Sequence, residues 1–273
     1  MAEAGRQQPR SSLIESAGMW FRVLSTVEGG ARAVPDASTG RDGRAHVLVH
    51  GIGTSHRYLS RLHDEFARTG PVHSIDLPGF GGLPKPPEAP SVPEMAAALA
   101  DVLDGLGLRR PVLVGHSMGA QWVVELAATR ADLASAVVAI GPVADDRHRT
   151  LTAQSVALGI DILGEPPVVN AVVFLDYLRC GPAWFLRESG PMLSYPIDER
   201  VADLTVPLLV VRGGNDPIAG TAWCRRLRDA APRGSLAVVP GHRHVVQFTA
   251  PRAVASAIST FLAAQSDAAD TAH

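Results

Sequence analysis

Short apolar runs alternate along the chain with longer segments whose apolar residues recur at helical spacing. Six runs are predicted to be strands: Ala45–Val49, Val72–Ile75, Pro111–Val114, Ala136–Ile140, Pro207–Val211 and Leu236–Val239. Because most of these runs are apolar along their length, both faces of the sheet are expected to be covered. Strands separated by helices predict an α/β fold with a mostly parallel sheet flanked by helices. Residues Met19–Leu24 are a candidate antiparallel edge strand.

Two helices have clear start signals. Ser91-Val92-Pro93-Glu94 has the pattern of a capping box with Pro in the first turn. The helix that follows has an apolar stripe near the 3.6-residue period, formed by Met95, Leu99, Val102 and Leu106. Pro251 opens a last predicted helix, which carries Val254, Ile258, Phe261 and Leu262 on one side.

The segment from Pro142 to Leu204 breaks the alternation of strands and helices. Its short apolar stretches are cut by Pro166-Pro167, Gly181-Pro182 and Pro191, which is typical of short helices joined by turns. We therefore expect residues 142–204 to form a helical cap inserted into a core made of residues 1–141 and 205–273. The alternative is a long structureless loop, which is uncommon in compact domains.

Net charge and cysteine content limit the possible binding partners and the cellular compartment. Lys+Arg 25 against Asp+Glu 27 gives a net charge of −2, so no bulk field favours nucleic acid or an anionic membrane. Two cysteines, Cys180 and Cys224, cannot make a disulfide framework. The first ten residues lack the apolar stretch of a secretory signal, and no apolar window reaches the ~20 residues of a spanning helix. These observations predict a cytoplasmic protein; they predict nothing about its oligomeric state.

Gly115-His116-Ser117-Met118-Gly119 is the sharpest chemical motif. It follows the predicted strand Pro111–Val114 and precedes a helical stretch, Ala120–Thr129. A strand, a tight turn with a central serine and a helix are the parts of a nucleophile elbow. The alternative is an ordinary glycine-rich turn. The context predicts that Ser117 is a nucleophile.

Five segments, spanning about residues 45 to 262, resemble motifs of the α/β-hydrolase superfamily and follow its order. They are Val47–Gly53, Asp76–Gly81, Gly115–Gly119, Gly213–Ile218 and Gly241–His244 followed by Pro251. The resemblance is to the cap-bearing branch of serine esterases, haloperoxidases and epoxide-hydrolase-like proteins, and it implies an α/β-hydrolase fold. Epoxide hydrolases and dehalogenases of this fold carry Asp at the nucleophile, so Ser117 argues against both chemistries.

The resemblance implies a set of catalytic residues. A serine hydroxyl needs a base that is oriented by a third group, and the chain order in this fold is Ser, acid, His. Asp216 follows a predicted strand and fits the acid, although it could be a plain Asn-Asp-Pro turn residue. His244 fits the base because Pro251 lies seven residues later, whereas His242 directly follows Gly241 and is the alternative.

Negative charge on the substrate oxygen needs N–H donors, which the family supplies from the residue after the nucleophile and the residue after a His-Gly pair. Here those are the amides of Met118 and Ile52. The predicted substrate-binding residues are Gly51, Gly53, His116, Trp184 and Phe185. Trp184 and Phe185 are expected to face the pocket or support its wall.

We therefore predict that the protein is a serine hydrolase with the triad Ser117, His244 and Asp216. The apolar cap predicts a small-to-medium apolar substrate with a carboxylic ester, lactone or thioester bond. We expect no metal, because the His242-Arg243-His244 pair lacks further ligands, and no cofactor, because no dinucleotide fingerprint is complete. Two alternatives remain: C–C bond hydrolysis or acyl transfer on the same triad, and a non-enzymatic receptor that retains the triad.

Overall fold

The computed structural model of the protein describes residues 9–26, 44–145 and 149–270. The strands are β1 (Arg10–Ser16), β2 (Met19–Thr26), β3 (His46–Val49), β4 (Val72–Asp76), β5 (Val112–His116), β6 (Ala136–Ile140), β7 (Leu208–Gly213) and β8 (Gly234–Val239). They form one eight-stranded sheet with the order β1-β2-β4-β3-β5-β6-β7-β8. The pairs from β4 to β8 are parallel, whereas β2 is antiparallel to both of its neighbours.

All six predicted strands are present, and the antiparallel strand predicted at Met19–Leu24 lies within β2. Its predicted edge position is wrong, because β1 covers its outer side. Strand β1 has no apolar run that would predict it, because most of its side chains are exposed. Its link to β2 is a two-residue turn in which Ala17 (φ +50°) and Gly18 (φ +73°) both adopt positive φ, as in tight hairpins.

Helices cover both faces of the sheet. They are α1 (His56–Phe66), α2 (Val92–Gly105), α3 (Gly119–Thr129), α4 (Leu151–Gly164), α5 (Pro167–Cys180), α6 (Pro182–Ser194), α7 (Ile197–Arg200), α8 (Thr221–Ala230), α9 (Val246–Thr249) and α10 (Pro251–Asp270). The capping box predicted at Ser91 and the start predicted at Pro251 are both observed. None of the helices in the described part of the chain combines the length and apolar content that a membrane crossing requires.

Alternate residues of each central strand face opposite cores. In β3, Val47 and Val49 belong to one buried cluster and Leu48 to the other. This explains why most of the strand runs are apolar on both faces.

Between β6 and β7 the chain forms α4, α5, α6 and α7, which we call the inserted helices. They contact the loop that follows β3 and the helix α3 that follows β5. Ser55 Oγ donates to Asp176 Oδ2 of α5 (2.6 Å), and Gln121 Nε2 of α3 donates to the Met192 carbonyl oxygen of α6 (2.9 Å). The inserted helices therefore lie over the carboxyl ends of the central strands, where loops carry function in sheets of this kind.

Candidate active site

Ser117 occupies the sharp turn between β5 and α3. Its φ is +58°, a left-handed value that is uncommon for a residue with a side chain and costs about 1–3 kcal/mol. The Ser117 N–H donates to the Ile140 carbonyl oxygen at the end of β6 (2.9 Å), which holds the turn in place. Strain of this kind persists only where the surroundings impose it, and it clusters at functional sites.

The glycines beside this serine are required by close packing. A Cβ at Gly115 would overlap the Gly119 carbonyl group, and one at Gly119 would overlap the Val49 carbonyl oxygen. A Cβ at Gly51 would lie 2.7 Å from Ser117 Cβ. The turn after β3 and the turn after β5 therefore pack directly against each other, with the serine side chain between them.

Asp216 and His244 meet beside the end of β6. His244 Nδ1 lies 3.0 Å from Asp216 Oδ2, and both side chains are buried. A Cβ at Gly141 would lie 3.0 Å from His244 Nδ1, so the pair packs against backbone at the end of β6. His242 lies elsewhere: its Nδ1 contacts Thr249 Oγ1 at 2.9 Å.

Backbone groups of the loop that carries Asp216 hold its carboxylate in place. Asp216 Oδ1 accepts hydrogen bonds from the N–H groups of Ile218 (2.8 Å) and Ala219 (2.9 Å), which leaves Oδ2 to His244. Burial alone would raise the pKa of Asp216, but the charge and hydrogen bond of His244 and the two amides lower it below its ordinary value. The carboxyl group is therefore ionised at neutral pH.

Arg212 stabilises the loop that carries Asp216. The sequence pattern did not single out this residue. Its buried guanidinium donates to three carbonyl oxygens, those of Gly214 (3.2 Å), Asp216 (3.1 Å) and Ala219 (2.8 Å). The available signal was a charged residue at the end of an otherwise apolar run, just before Gly213-Gly214.

His244 sits among several polar groups. Burial alone would lower its pKa, but the negative charges of Asp216, Asp161 and Glu165 raise it above its ordinary value. His116 lies beneath the loop: its Nε2 donates to the His244 carbonyl oxygen (3.0 Å), and its Nδ1 bonds the Tyr58 hydroxyl group. Burial, and secondly the nearby His244, hold the pKa of His116 well below its ordinary value. His116 is therefore neutral.

The two predicted oxyanion donors flank the serine. Met118 is the N-cap residue of α3, where helix N–H groups lack partners within the helix. Within residues 9–26, 44–145 and 149–270, neither the Met118 N–H nor the Ile52 N–H donates to a protein acceptor. Two such amides are available for a developing negative charge.

One cavity contains both Ser117 and His244. Its walls are mostly apolar and come from the turn after β3, the loop after β6 and the inserted helices. They include Ile52, Val143, Leu158, Val169, Val173, Phe185 and Met192. Tyr58 and Tyr177 also line it, and nothing in the sequence pattern marked them. In the part of the chain that the structure describes, no cluster of His, Cys, Asp or Glu has the arrangement of a metal site.

The predicted substrate-binding residues separate into two groups. Gly51 and Phe185 line the cavity. Trp184 does not: it is 2% exposed and its indole packs against Gly79. Of the two aromatic residues expected to face the pocket or support its wall, only Phe185 is in the lining, because neighbouring residues on a helix point in different directions.

Two further predicted substrate-binding residues also lie outside the cavity wall. The Tyr177 and Phe185 rings cover Gly53, so that a Cβ there would lie 2.6 Å from Tyr177 Cε1. His116 is held below the turn by Tyr58 and the His244 backbone. Neither residue is part of the cavity lining, and their roles in substrate binding stay predictions.

Comparison with known proteins gives the family. Residues 47–257 match the model of the alpha/beta hydrolase family. The chain belongs to the alpha/beta hydrolase family, as the five ordered motifs predicted, and it is a hydrolase enzyme.

Similar proteins support this assignment. The chain is 28% identical to the esterase YbfF of Escherichia coli (strain K12), over 79% of this chain and 92% of that protein. It is 28% identical to the biotin biosynthesis bifunctional protein BioHC of Cellvibrio japonicus (strain Ueda107), over 82% of this chain but only 48% of that protein. The solved structure of Est816, described as an N-acyl homoserine lactone degrading enzyme, superposes with a TM-score of 0.78 at 21% identity, over 92% of this chain and 100% of that chain. That likeness shows a shared fold.

Proposed function

We propose that the protein is a serine hydrolase that cleaves an ester-like bond through an acyl-enzyme. Ser117 is the nucleophile, His244 the general base and acid, and Asp216 the group that orients the imidazole. One observation carries the proposal: a strained serine shares a cavity with a histidine that is bonded to a buried carboxylate. This is the arrangement that makes a serine hydroxyl reactive.

The proposed reaction has two halves. Ser117 Oγ attacks the substrate carbonyl carbon while His244 Nε2 takes the hydroxyl proton, and Asp216 accepts a hydrogen bond from Nδ1–H. The oxygen of the tetrahedral intermediate receives hydrogen bonds from the Met118 and Ile52 amides. The leaving alcohol or thiol takes the proton from His244. Water then attacks the acyl-enzyme with His244 as base, and the acid is released as Ser117 regains its proton.

The substrate class follows from the cavity walls. They are largely apolar, so we propose a small-to-medium apolar carboxylic ester, lactone or thioester. In this proposal residues 142–204 act as a cap whose packing sets the acyl or alcohol size that fits. The similarity to an E. coli protein named as an esterase favours ester chemistry.

We further propose a cytoplasmic setting and a small-molecule substrate, with neither nucleic acid nor a membrane as a partner. Cys180 and Cys224 are both free and buried, which suits a reducing compartment. The net charge of −2 does not favour nucleic acid or an anionic membrane surface as a partner.

The test is turnover of a panel of p-nitrophenyl esters from acetate to decanoate, together with lactones and thioesters. Ser117→Ala should lower kcat by several orders of magnitude, up to ~10⁶-fold where a triad serine carries the chemistry. Ser194→Ala is the matched control, because Ser194 is an exposed serine whose Oγ bonds the Pro191 carbonyl oxygen of its own helix. Wild-type turnover in Ser117→Ala would overturn the proposal.

A further inference from the structure

The loop that carries His244 is bound along three consecutive residues by the last turns of α4. Three hydrogen bonds join them: Arg243 Nη1 to the Ile160 carbonyl oxygen (3.1 Å), the His244 N–H to Asp161 Oδ1 (3.1 Å) and the Val245 N–H to Glu165 Oε1 (3.0 Å). The contact therefore joins one of the inserted helices to the backbone of the proposed base.

This contact has the features of a built interface. Asp161 and Glu165 are buried, although acidic side chains are rarely buried without a specific partner. Asp161 lies in the last turn of α4 and Glu165 directly follows the helix, where its N–H still donates to the Asp161 carbonyl oxygen (3.1 Å). Between them, at Gly164, the Arg243 guanidinium crosses so closely that a Cβ would overlap it.

We propose that Asp161 and Glu165 are positioning residues for the base: from α4 they hold the backbone of His244 and Val245, and thereby place the imidazole in line with Asp216. The inference rests on the proposed function, in which His244 is the base. It also makes the inserted helices part of the catalytic apparatus, because the base is held correctly only while α4 lies against its loop.

The other hydrogen bonds of this loop do not replace the two that Asp161 and Glu165 accept. His116 holds the His244 carbonyl oxygen, and Thr249 contacts His242. Neither supplies an acceptor for the two N–H groups that point toward α4. A buried N–H without an acceptor is unfavourable, so the loop would rearrange if α4 moved away or lost its carboxyl groups.

The two carboxyl groups also act through charge. His244 faces Asp216 on the loop after β7, His116 on β5, and Asp161 and Glu165 at the end of α4, with His242 and Arg243 beside it in its own loop. His116 in turn bonds the Tyr58 hydroxyl group of α1. The charges of Asp161 and Glu165 add to that of Asp216 in raising the pKa of His244. Hydrogen bonding and charge can be separated, since an amide side chain accepts the same bond without the charge.

The experiment compares two double variants of the full chain. Asp161→Asn with Glu165→Gln keeps both acceptors and removes both charges. We expect nearly unchanged kcat and an acid limb of kcat/KM moved to lower pH. Asp161→Leu with Glu165→Met removes the acceptors as well. We expect kcat to fall by about 10²-fold, the cost of a misplaced catalytic group, with a smaller change in KM.

A second readout is independent of activity. Hydrogen exchange of the peptide containing residues 244 and 245 should stay slow in the amide variant and become much faster in the Leu/Met variant. Asp176→Leu is the matched control: this buried acid of α5 ties the inserted helices to Ser55 and Arg57, away from the His244 loop. We expect Asp176→Leu to leave unchanged both the hydrogen exchange of residues 244 and 245 and the acid limb of kcat/KM.

Two results would overturn the inference: wild-type kcat and exchange in the Leu/Met variant, or the same fast exchange in Asp176→Leu. If the Leu/Met double variant does not fold, Asp161→Leu and Glu165→Met are measured singly and the same criteria apply. Ser117→Ala is assayed alongside. Turnover in that variant would overturn the proposed function, whereas an inactive Ser117→Ala with an unaffected Leu/Met variant would overturn this inference alone.

Discussion

At the scale of single residues, His242 and His244 have different environments although one residue separates them. His244 is buried and bonded to Asp216, whereas His242 is half-buried and contacts Thr249. The sequence reduced the choice to these two residues, and the spacing to Pro251 favoured His244. The direction that each side chain takes from the turn at Gly241 (φ +78°) is a separate matter, which spacing does not give.

We therefore expect His244→Ala to lose nearly all turnover, by up to about 10⁶-fold in kcat, because Ser117 then has no proton acceptor. His242→Ala should keep activity within about 10-fold, since its ring touches neither the serine nor the acid. Steady-state kinetics on one p-nitrophenyl ester, with thermal melts of both variants, provides the comparison. An inactive His242→Ala beside an active His244→Ala would transfer the role of base to His242.

The pH dependence of kcat/KM gives a second test at this scale. Only the neutral imidazole accepts a proton, so activity falls as pH drops through the pKa of His244. Asp216, with smaller effects from Asp161 and Glu165, raises that pKa. The acid limb should therefore have its midpoint above the ordinary histidine value of ~6.5. A midpoint well below that value would contradict the environment described for His244.

At the scale of elements, the predictable parts of the fold are those that are local in sequence. The apolar runs identified β3 to β8, and the capping box identified the start of α2. Strand β1 was missed because most of its residues are exposed and polar. The roles of Arg212, Asp161 and Glu165 were missed for a different reason: each depends on contacts between elements that are far apart in sequence.

Trp184 and Phe185 provide a matched test of the inserted helices. Phe185 lines the cavity, so Phe185→Ala should broaden chain-length preference with little loss of stability. Trp184 packs against Gly79, so Trp184→Ala should cost about 3–5 kcal/mol of unfolding free energy while preference stays the same. Ester chain-length profiles and urea melts measure the two effects. The reverse pattern would mean that α6 presents its other face to the cavity.

At the scale of the whole molecule, two buried histidines link stability to pH. His63 bonds Thr26 and Ser74 between α1, β2 and β4, and His73 bonds Ser25. Burial lowers the pKa of each to about 4. Both are neutral in the folded protein, whereas the unfolded chain takes up protons below about pH 6.5. Their contribution to stability is therefore complete above about pH 6.5 and is lost as pH falls toward 4.

We expect the free energy of unfolding to decrease by up to about 3 kcal/mol for each histidine between pH 7 and pH 4. The double variant His63→Gln with His73→Gln should have a flatter pH dependence in the same window. Urea melts at a series of pH values measure both proteins. Equal slopes for the variant and the wild type would contradict this assignment. The contribution of His244 to the free energy of unfolding has the opposite pH dependence, because its raised pKa adds stability that is lost as pH rises.

The nucleophilic serine is the central claim, and covalent labelling tests it most directly. A fluorophosphonate reacts with a serine only where a neighbouring base and oxyanion donors activate it. Mass spectrometry of the digested protein should find the added mass on the peptide that contains Ser117, at one label per chain, and none in Ser117→Ala. A label on any other residue, or no label on a folded protein that hydrolyses esters, would contradict the account.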